Sequence, residues 1–225
     1  MPGGRDPAQL VEDVEAGRVV EILVDGATVR VAAETTILEA CDTAGRYIPR
    51  LCHYSGFGCC SESECGLCVV RLADGSTPLA CATIVASGLE VVTDHPDVLA
   101  LRRDRLGRIL SHHPHSCLSC PDRDGCARDE CSYGVPPEAR CCDEFGRCEF
   151  GKLVRWVDPG TVIPRRAVAV ARDVMIEGRI RREPGLCVGC GRCVRVCDAS
   201  PDAGNALEMV ATGASGEGPA AERGL

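Results

Sequence analysis

Residues 19–45, VVEILVDGATVRVAAETTILEACDTAG, decide how the chain begins to fold. Val19–Val24 and Ala27–Val31 are rich in apolar and β-branched residues and read as strands. They meet at Asp25-Gly26, a dipeptide suited to the left-handed backbone of a tight hairpin turn. The pattern then changes. Thr36 stands three residues before Glu39, the spacing of a capping box, and Ile37, Leu38 and Ala40 follow as helix residues. Gly45 sits where that helix should stop. The stretch predicts strand, turn, strand, helix, and it leads directly to IPRLCHY (48–54) and the first dense cysteine region. Further strands are expected at Cys68–Leu72 and Leu89–Thr93. A helix is expected over Asp97–Ser111, with Pro96 in its first turn and Val98, Leu101, Ile109 and others on one apolar stripe that packs a core. The fold class is α+β.

The rest of the composition is dominated by sulfur. The chain has 18 cysteines in 225 residues, whereas aromatics make up 3%. Such density in a secreted chain would mean disulfides. The N-terminal MPGGRDPAQLVEDVEAG has no apolar stretch after a basic start, so no secretory signal is expected. No run has the length of a membrane span. The expectation is a cytoplasmic chain whose thiols stay reduced or ligate metal. A net charge of −8 disfavours nucleic acid as a partner.

The cysteines fall in three blocks. In the first, Cys52, Cys65, Cys68 and Cys81 are separated by 12, 2 and 12 residues. Four thiolates, three of them in or near a glycine-bearing loop, suit a [2Fe–2S] cluster, and Gly56, Gly58 and Gly66 would let the backbone bend around it. Cys60, Cys65 and Cys68 compete, because they have the C-x4-C-x2-C spacing of plant-type ferredoxins. Cys41, inside the capped helix, reads as a small buried apolar residue. Cys59 has no assignment.

The middle block is CLSCPDRDGCARDECSYGVPPEARCCDEFGRC (117–148), preceded by SHHPHS. His113 with Cys117, Cys120 and Cys126 gives His-Pro-x-x-Cys-x-x-Cys-x5-Cys. His112 and His115 read as solvated neighbours. The last block, LCVGCGRCVRVCDAS, places Cys187, Cys190, Cys193 and Cys197 as C-x2-C-x2-C-x3-C, a specific [4Fe–4S] signal. Gly189 and Gly191 permit its tight loop. Asp198 stands where a proline usually follows, and no second quartet lies downstream. Cys197 either completes this cluster or leaves the place to another cysteine.

IPRLCHYSGF, CGLCVVRLADGS and LACATIV resemble the N-terminal [2Fe–2S] domain of the large cluster-bearing subunit of respiratory NADH dehydrogenase. The same domain occurs in the small diaphorase subunit of bidirectional hydrogenases and in NAD-dependent formate dehydrogenases. The resemblance covers about residues 19–200. It implies an N-terminal β-grasp [2Fe–2S] ferredoxin-like domain, then a loop-rich His/Cys [4Fe–4S] domain, then a short bacterial-ferredoxin-like [4Fe–4S] segment. It implies Cys52 as the first ligand of the [2Fe–2S] set, and His113 as the one imidazole of a His/Cys3 cluster. The family's third cysteine of that cluster opens a helix, and Cys148, followed by EFGKLVRWV, fits that better than Cys126. Two partitions stay open. In one, His113, Cys117, Cys120 and Cys148 form a set, with Cys126, Cys131, Cys141 and Cys142 as a second. In the other, Cys126 joins His113, Cys117 and Cys120, with Cys131, Cys141, Cys142 and Cys148 as the second.

The implied inventory is one [2Fe–2S] and two to three [4Fe–4S] clusters. The implied function is an electron-relay subunit, between a flavin-containing NAD(P)H-oxidising subunit and a catalytic subunit such as a hydrogenase or formate dehydrogenase. No GxGxxG fingerprint, phosphate loop or nucleophile–base pairing points to an active site of its own. The competing class is a zinc-organised structural or regulatory module, since Cys-x-x-Cys pairs also suit zinc. A third reading, an autonomous oxidoreductase, has no pocket signature behind it. The expected divisions are a flexible tail over 1–17, the [2Fe–2S] domain over 18–96, the His/Cys-rich domain over 97–158, the ferredoxin-like segment over 159–204 and a flexible tail over 205–225.

Overall fold

The structure is a computed structural model. It describes residues 19–54, 65–118, 120–122, 126, 130–137, 140, 146–158, 175–177, 180–200, 208–210 and 220–222. The tail expected over 1–17 lies outside them, as do Cys59, Cys60, Cys141 and Cys142. The chain divides into two compact units, Met1–Arg50 with Ser61–Arg102, and Leu51–Cys60 with Arg103–Leu225.

The first unit is built on the opening stretch. Strands β1 (Val19–Val24) and β2 (Ala27–Ala32) pair antiparallel, with Ile22 opposite Val29. Both of these face the core, while Glu21 and Arg30 form an ion pair at 3.0 Å on the outer face. Asp25 and Gly26 have φ of 48° and 79°, the left-handed pair a two-residue hairpin needs. Helix α1 (Ile37–Thr43) carries the expected capping box. Thr36 Oγ1 accepts from Glu39 N, and Glu39 Oε2 accepts from Thr36 N. Ile37, Leu38, Ala40 and Cys41 are buried on its inner face.

Two short strands complete a four-stranded sheet of order β2-β1-β4-β3. Strand β3 (Arg71–Leu72) pairs antiparallel with β4 (Glu90–Val92), which runs parallel to β1. This is a mixed sheet with helices, as a [2Fe–2S] ferredoxin-like domain has. Helix α2 (Pro96–Leu110) follows. Its buried stripe is Val98, Arg102, Leu106 and Leu110, while Leu101 and Ile109, which the sequence also placed on the apolar stripe, are half-buried. A four-residue step keeps these side chains on one face, and a cation occupies one of the four positions.

In the second unit, helix α3 (Glu149–Val157) buries Phe150, Leu153, Val154 and Val157. That 0, 3, 4, 7 spacing is one helical face. It begins four residues before the apolar run Leu153–Val157 that the sequence shows. Strands β5 (Met175–Glu177) and β6 (Ile180–Arg182) pair antiparallel. Helix α4 (Arg192–Ala199) carries the end of the last cysteine block. Within the stretch expected as a C-terminal tail, β7 (Glu208–Val210) pairs with β8 (Ala220–Glu222). Among the described residues, no helix is long and apolar enough to cross a membrane.

Candidate metal centres

Fourteen cysteines are described and none is in a disulfide. Among the described residues, no three His, Cys, Asp or Glu side chains converge on a single ion. The sulfur positions are therefore best taken block by block.

In the first unit, Cys68 and Cys81 are each 2% exposed. Their two segments are tied to each other. Ala80 N donates to Cys68 O at 2.9 Å, Val70 N donates to Pro78 O at 3.1 Å, and Val69 and Leu79 form a bridge. The first turn of α1 holds the Cys81 segment from the other side, because Leu38 N donates to Ala80 O and Ile37 N to Thr83 O. The capped helix thus spends its first free N–H groups on the loop that carries a candidate ligand. Gly66, between Cys65 and Leu67, has φ of 60°, a left-handed turn that a side chain would resist. Gly56 and Gly58 lie outside the described residues. Buried, unoxidised thiols on rigidly paired segments are the soft donor set that iron–sulfur ligation requires. Cys41 differs. Burial, then the charges of Asp25 and Asp42, push its thiol up to about 12, so it stays a neutral packing group as expected.

In the second unit, His113 stacks edge-on against Phe150 of α3, with ring centroids 4.9 Å apart. Its Nδ1 lies 2.8 Å from Pro114 O. A carbonyl can only accept, so Nδ1 is the donor in this contact, and in a neutral ring Nε2 would then be the nitrogen open to a metal. Cys148 is the N-cap of α3, and its Sγ accepts from Gly151 N at 3.2 Å. A Cβ placed on Gly151 would meet Cys148 Sγ at 3.1 Å and Leu118 Cδ2 at 3.3 Å. Leu118 lies between Cys117 and Cys120, so the start of α3 packs on that loop. Cys126 is exposed, and Cys131 is half-buried. His115 is not solvated, contrary to the expectation from sequence. It is 2% exposed, with Nδ1 2.8 Å from Leu110 O at the end of α2 and 3.0 Å from His113 O. It satisfies one of the carbonyls that a helix C-terminus leaves over.

In the last block, Gly189 and Gly191 have φ of 66° and 65°. Gly189 N points at Cys187 Sγ at 3.5 Å, and Cys193 and Cys197 stand one turn apart on α4. That helix reaches the Cys52 segment within the same unit. Arg195 donates to Cys52 O, and Arg192 Nη2 donates to His53 O at 3.0 Å. The Arg192 guanidinium also lies over the Tyr54 ring and 2.5 Å from Glu149 Oε2 at the start of α3. Cys52 itself is 1% exposed. Sequence reasoning missed Arg192 and Arg195. Their targets lie about 140 positions away, and no local pattern marks such a contact.

The mixed sheet with helices is consistent with a [2Fe–2S] ferredoxin-like domain. Residues 17–96 match the family described as 2Fe-2S iron-sulfur cluster binding domain. Over 184 residues, 80% of this chain, the sequence is 28% identical to an NADH-quinone oxidoreductase subunit of Rhizobium meliloti (strain 1021), covering 19% of that protein. It is 28% identical over 79% of its length to the mitochondrial NADH dehydrogenase [ubiquinone] iron-sulfur protein 1 of Solanum tuberosum, covering 21% of it. The chain thus spans about a fifth of the length of the curated relatives it matches. In fold it resembles a chain of the NAD+-reducing [NiFe]-hydrogenase in the H2-reduced state, with a TM-score of 0.67 and 23% identity, over 90% of this chain and 74% of that one.

Proposed function

We propose that this chain is an iron–sulfur relay subunit of a multi-subunit oxidoreductase. It would pass single electrons between a flavin-containing NAD(P)H-oxidising partner and a catalytic partner such as a hydrogenase, formate dehydrogenase or other reductase, on the cytoplasmic side. One observation carries the reading. A domain matching a [2Fe–2S] family is continuous with two further cysteine blocks in a single chain. When bound, such clusters supply one-electron transfer without making or breaking substrate bonds.

The ligand sets proposed with it rest on the cysteine spacing and the family resemblance. Cys52, Cys65, Cys68 and Cys81 hold the [2Fe–2S] cluster. His113, Cys117, Cys120 and Cys148 hold one [4Fe–4S] cluster. The contacts of His113 with Phe150 and of Leu118 with Gly151 support this partition, as does the exposure of Cys126. Cys187, Cys190, Cys193 and Cys197 hold another. Cys126, Cys131, Cys141 and Cys142 are the set left for a third. The work of the chain's own residues is to fix these donors and aim N–H groups at sulfur, as Gly151 and Gly189 do. The domain over 18–96, the His/Cys-rich domain over 97–158 and the segment over 159–204 are the corresponding functional divisions.

The test is anaerobic purification with whatever co-purifies, followed by iron and sulfide analysis and EPR after NADH addition. Iron, acid-labile sulfide and NADH-dependent cluster signals in a flavoprotein complex are expected. A colourless chain with stoichiometric zinc overturns the reading in favour of a structural module. For the partition, Cys148→Ser should abolish the His113-block signal and Cys126→Ser should spare it.

A further inference from the structure

Arg102 has no part in the ligand sets above, yet it is 0% exposed on the inner stripe of α2. Its Nη2 donates to Val69 O at 2.7 Å and its Nη1 to Thr93 O at 3.1 Å. Val69 directly follows Cys68, which lies in the same unit. Burying a guanidinium costs several kcal/mol of hydration, which hydrogen bonds to neutral carbonyls offset only in part. Burial pulls Arg102 down to about 10, so the side chain is charged at neutral pH. What would act against this pull is Cys68 as a thiolate first, then Asp94, Cys41 and Asp25. Cys41, held protonated, drops out at neutral pH.

We propose that Arg102 is a positioning residue for the [2Fe–2S] centre. It fixes the Cys68–Val69 segment through Val69 O and supplies a buried positive charge that favours the reduced form. The inference rests on the reading of Cys68 as a ligand. Reduction adds one electron from an external donor such as dithionite. No bond forms or breaks and no proton is taken up, so the negative charge beside Arg102 grows by one. A fixed cation at low dielectric stabilises the reduced state more than the oxidised one. Coordination by Cys68 also explains why a charged residue is tolerated where the helix pattern calls for an apolar one.

The experiment is an EPR-monitored redox titration of the full chain. Arg102→Met should make the [2Fe–2S] centre about tenfold harder to reduce, a midpoint lower by ~59 mV. Arg102→Lys, which keeps the charge, should lie closer to the wild type. An unchanged midpoint in Arg102→Met with the cluster retained overturns the proposal and leaves a purely structural tie. If Arg102→Met loses its cluster, Arg102→Gln is compared with Arg102→Lys. Gln keeps a donor for Val69 O without the charge, and equal midpoints in these two overturn the proposal as well. Cys68→Ser separates the two readings, since an unaltered [2Fe–2S] signal there sinks the ligand assignment itself.

Discussion

A side chain at Gly151 would press on two neighbours, Cys148 Sγ and Leu118 Cδ2, which would have to give by a few tenths of an ångström. Its backbone is ordinary helix, so alanine there gains helix propensity but must displace a candidate ligand. Crowding of this kind costs ~1–3 kcal/mol, more than the propensity returns. Gly151→Ala should lose iron from the His113 block and lower the urea midpoint. Gly45→Ala is the control. Gly45 has φ of 69° with nothing within 4 Å of a built Cβ, so its substitution costs ~1 kcal/mol of backbone strain and no iron. Equal iron content in both variants would refute the crowding argument. Cys41 gives a pH prediction. Its folded pKa, about 12, lies above the ordinary thiol value of 9.0, so the folded chain keeps a proton that the unfolded chain releases. Stability is full below about pH 9 and falls as pH rises from there towards 12, by up to ~1.4 kcal/mol per pH unit. Urea midpoints between pH 8 and 10 should show the decline, and Cys41→Ala should flatten it.

At the scale of elements, the parts of the fold that could be read early are those with local signals. The Asp25-Gly26 turn and the Thr36–Glu39 capping box each lie within a few residues, and each stands where the sequence put it. The parallel pairing of β1 with β4 joins Leu23 to Glu90, and no dipeptide encodes it. The same holds for Arg102, whose partner Val69 O lies 33 positions away, and for His115, which is buried with a bond to the end of α2. The cysteine spacings mark candidate ligand blocks, whereas the link from α4 to the Cys52 segment has no local signal. That link can be weighed. The ion pair of Arg192 with Glu149, whose carboxylate is largely exposed, contributes ~0–1 kcal/mol at most. The bonds to Cys52 O and His53 O are the more sheltered ones. Replacing both Arg192 and Arg195 by alanine should therefore lower hydrogen-exchange protection in 51–54 and 192–199 about tenfold, ~1.4 kcal/mol. Protection of β1 and β2 should stay as it was. Loss spread evenly over the chain would mean that the arginines do not form a local tie.

For the molecule as a whole, the two units differ in what holds them. The first has a sheet and helix core of Ile22, Val24, Val29, Ile37, Leu38, Val70 and Val91, an apolar set that can exclude water by itself. The described buried apolar side chains of the second are Leu51, Leu106, Leu110, Leu118, Phe150, Leu153, Val154 and Val157. Around them run turns and cysteine-bearing loops rich in Gly, Pro and Asp. Loops of that kind order only when something outweighs their conformational entropy, and metal bound by the folded form alone does so. Removing iron by chelation under reducing conditions should then act unequally. Amide exchange in 103–118, 146–158 and 183–200 should rise steeply, whereas 19–45 and 89–93 should keep most of their protection. Re-addition of iron and sulfide should restore the second unit without any lag in the first. Equal collapse of both would place the metal dependence in the whole chain, and no collapse would show that the thiols pack as ordinary apolar residues. The experiment also bears on the proposed relay, because ligands that ordered only around a bound cluster would hold each donor in the geometry its potential requires.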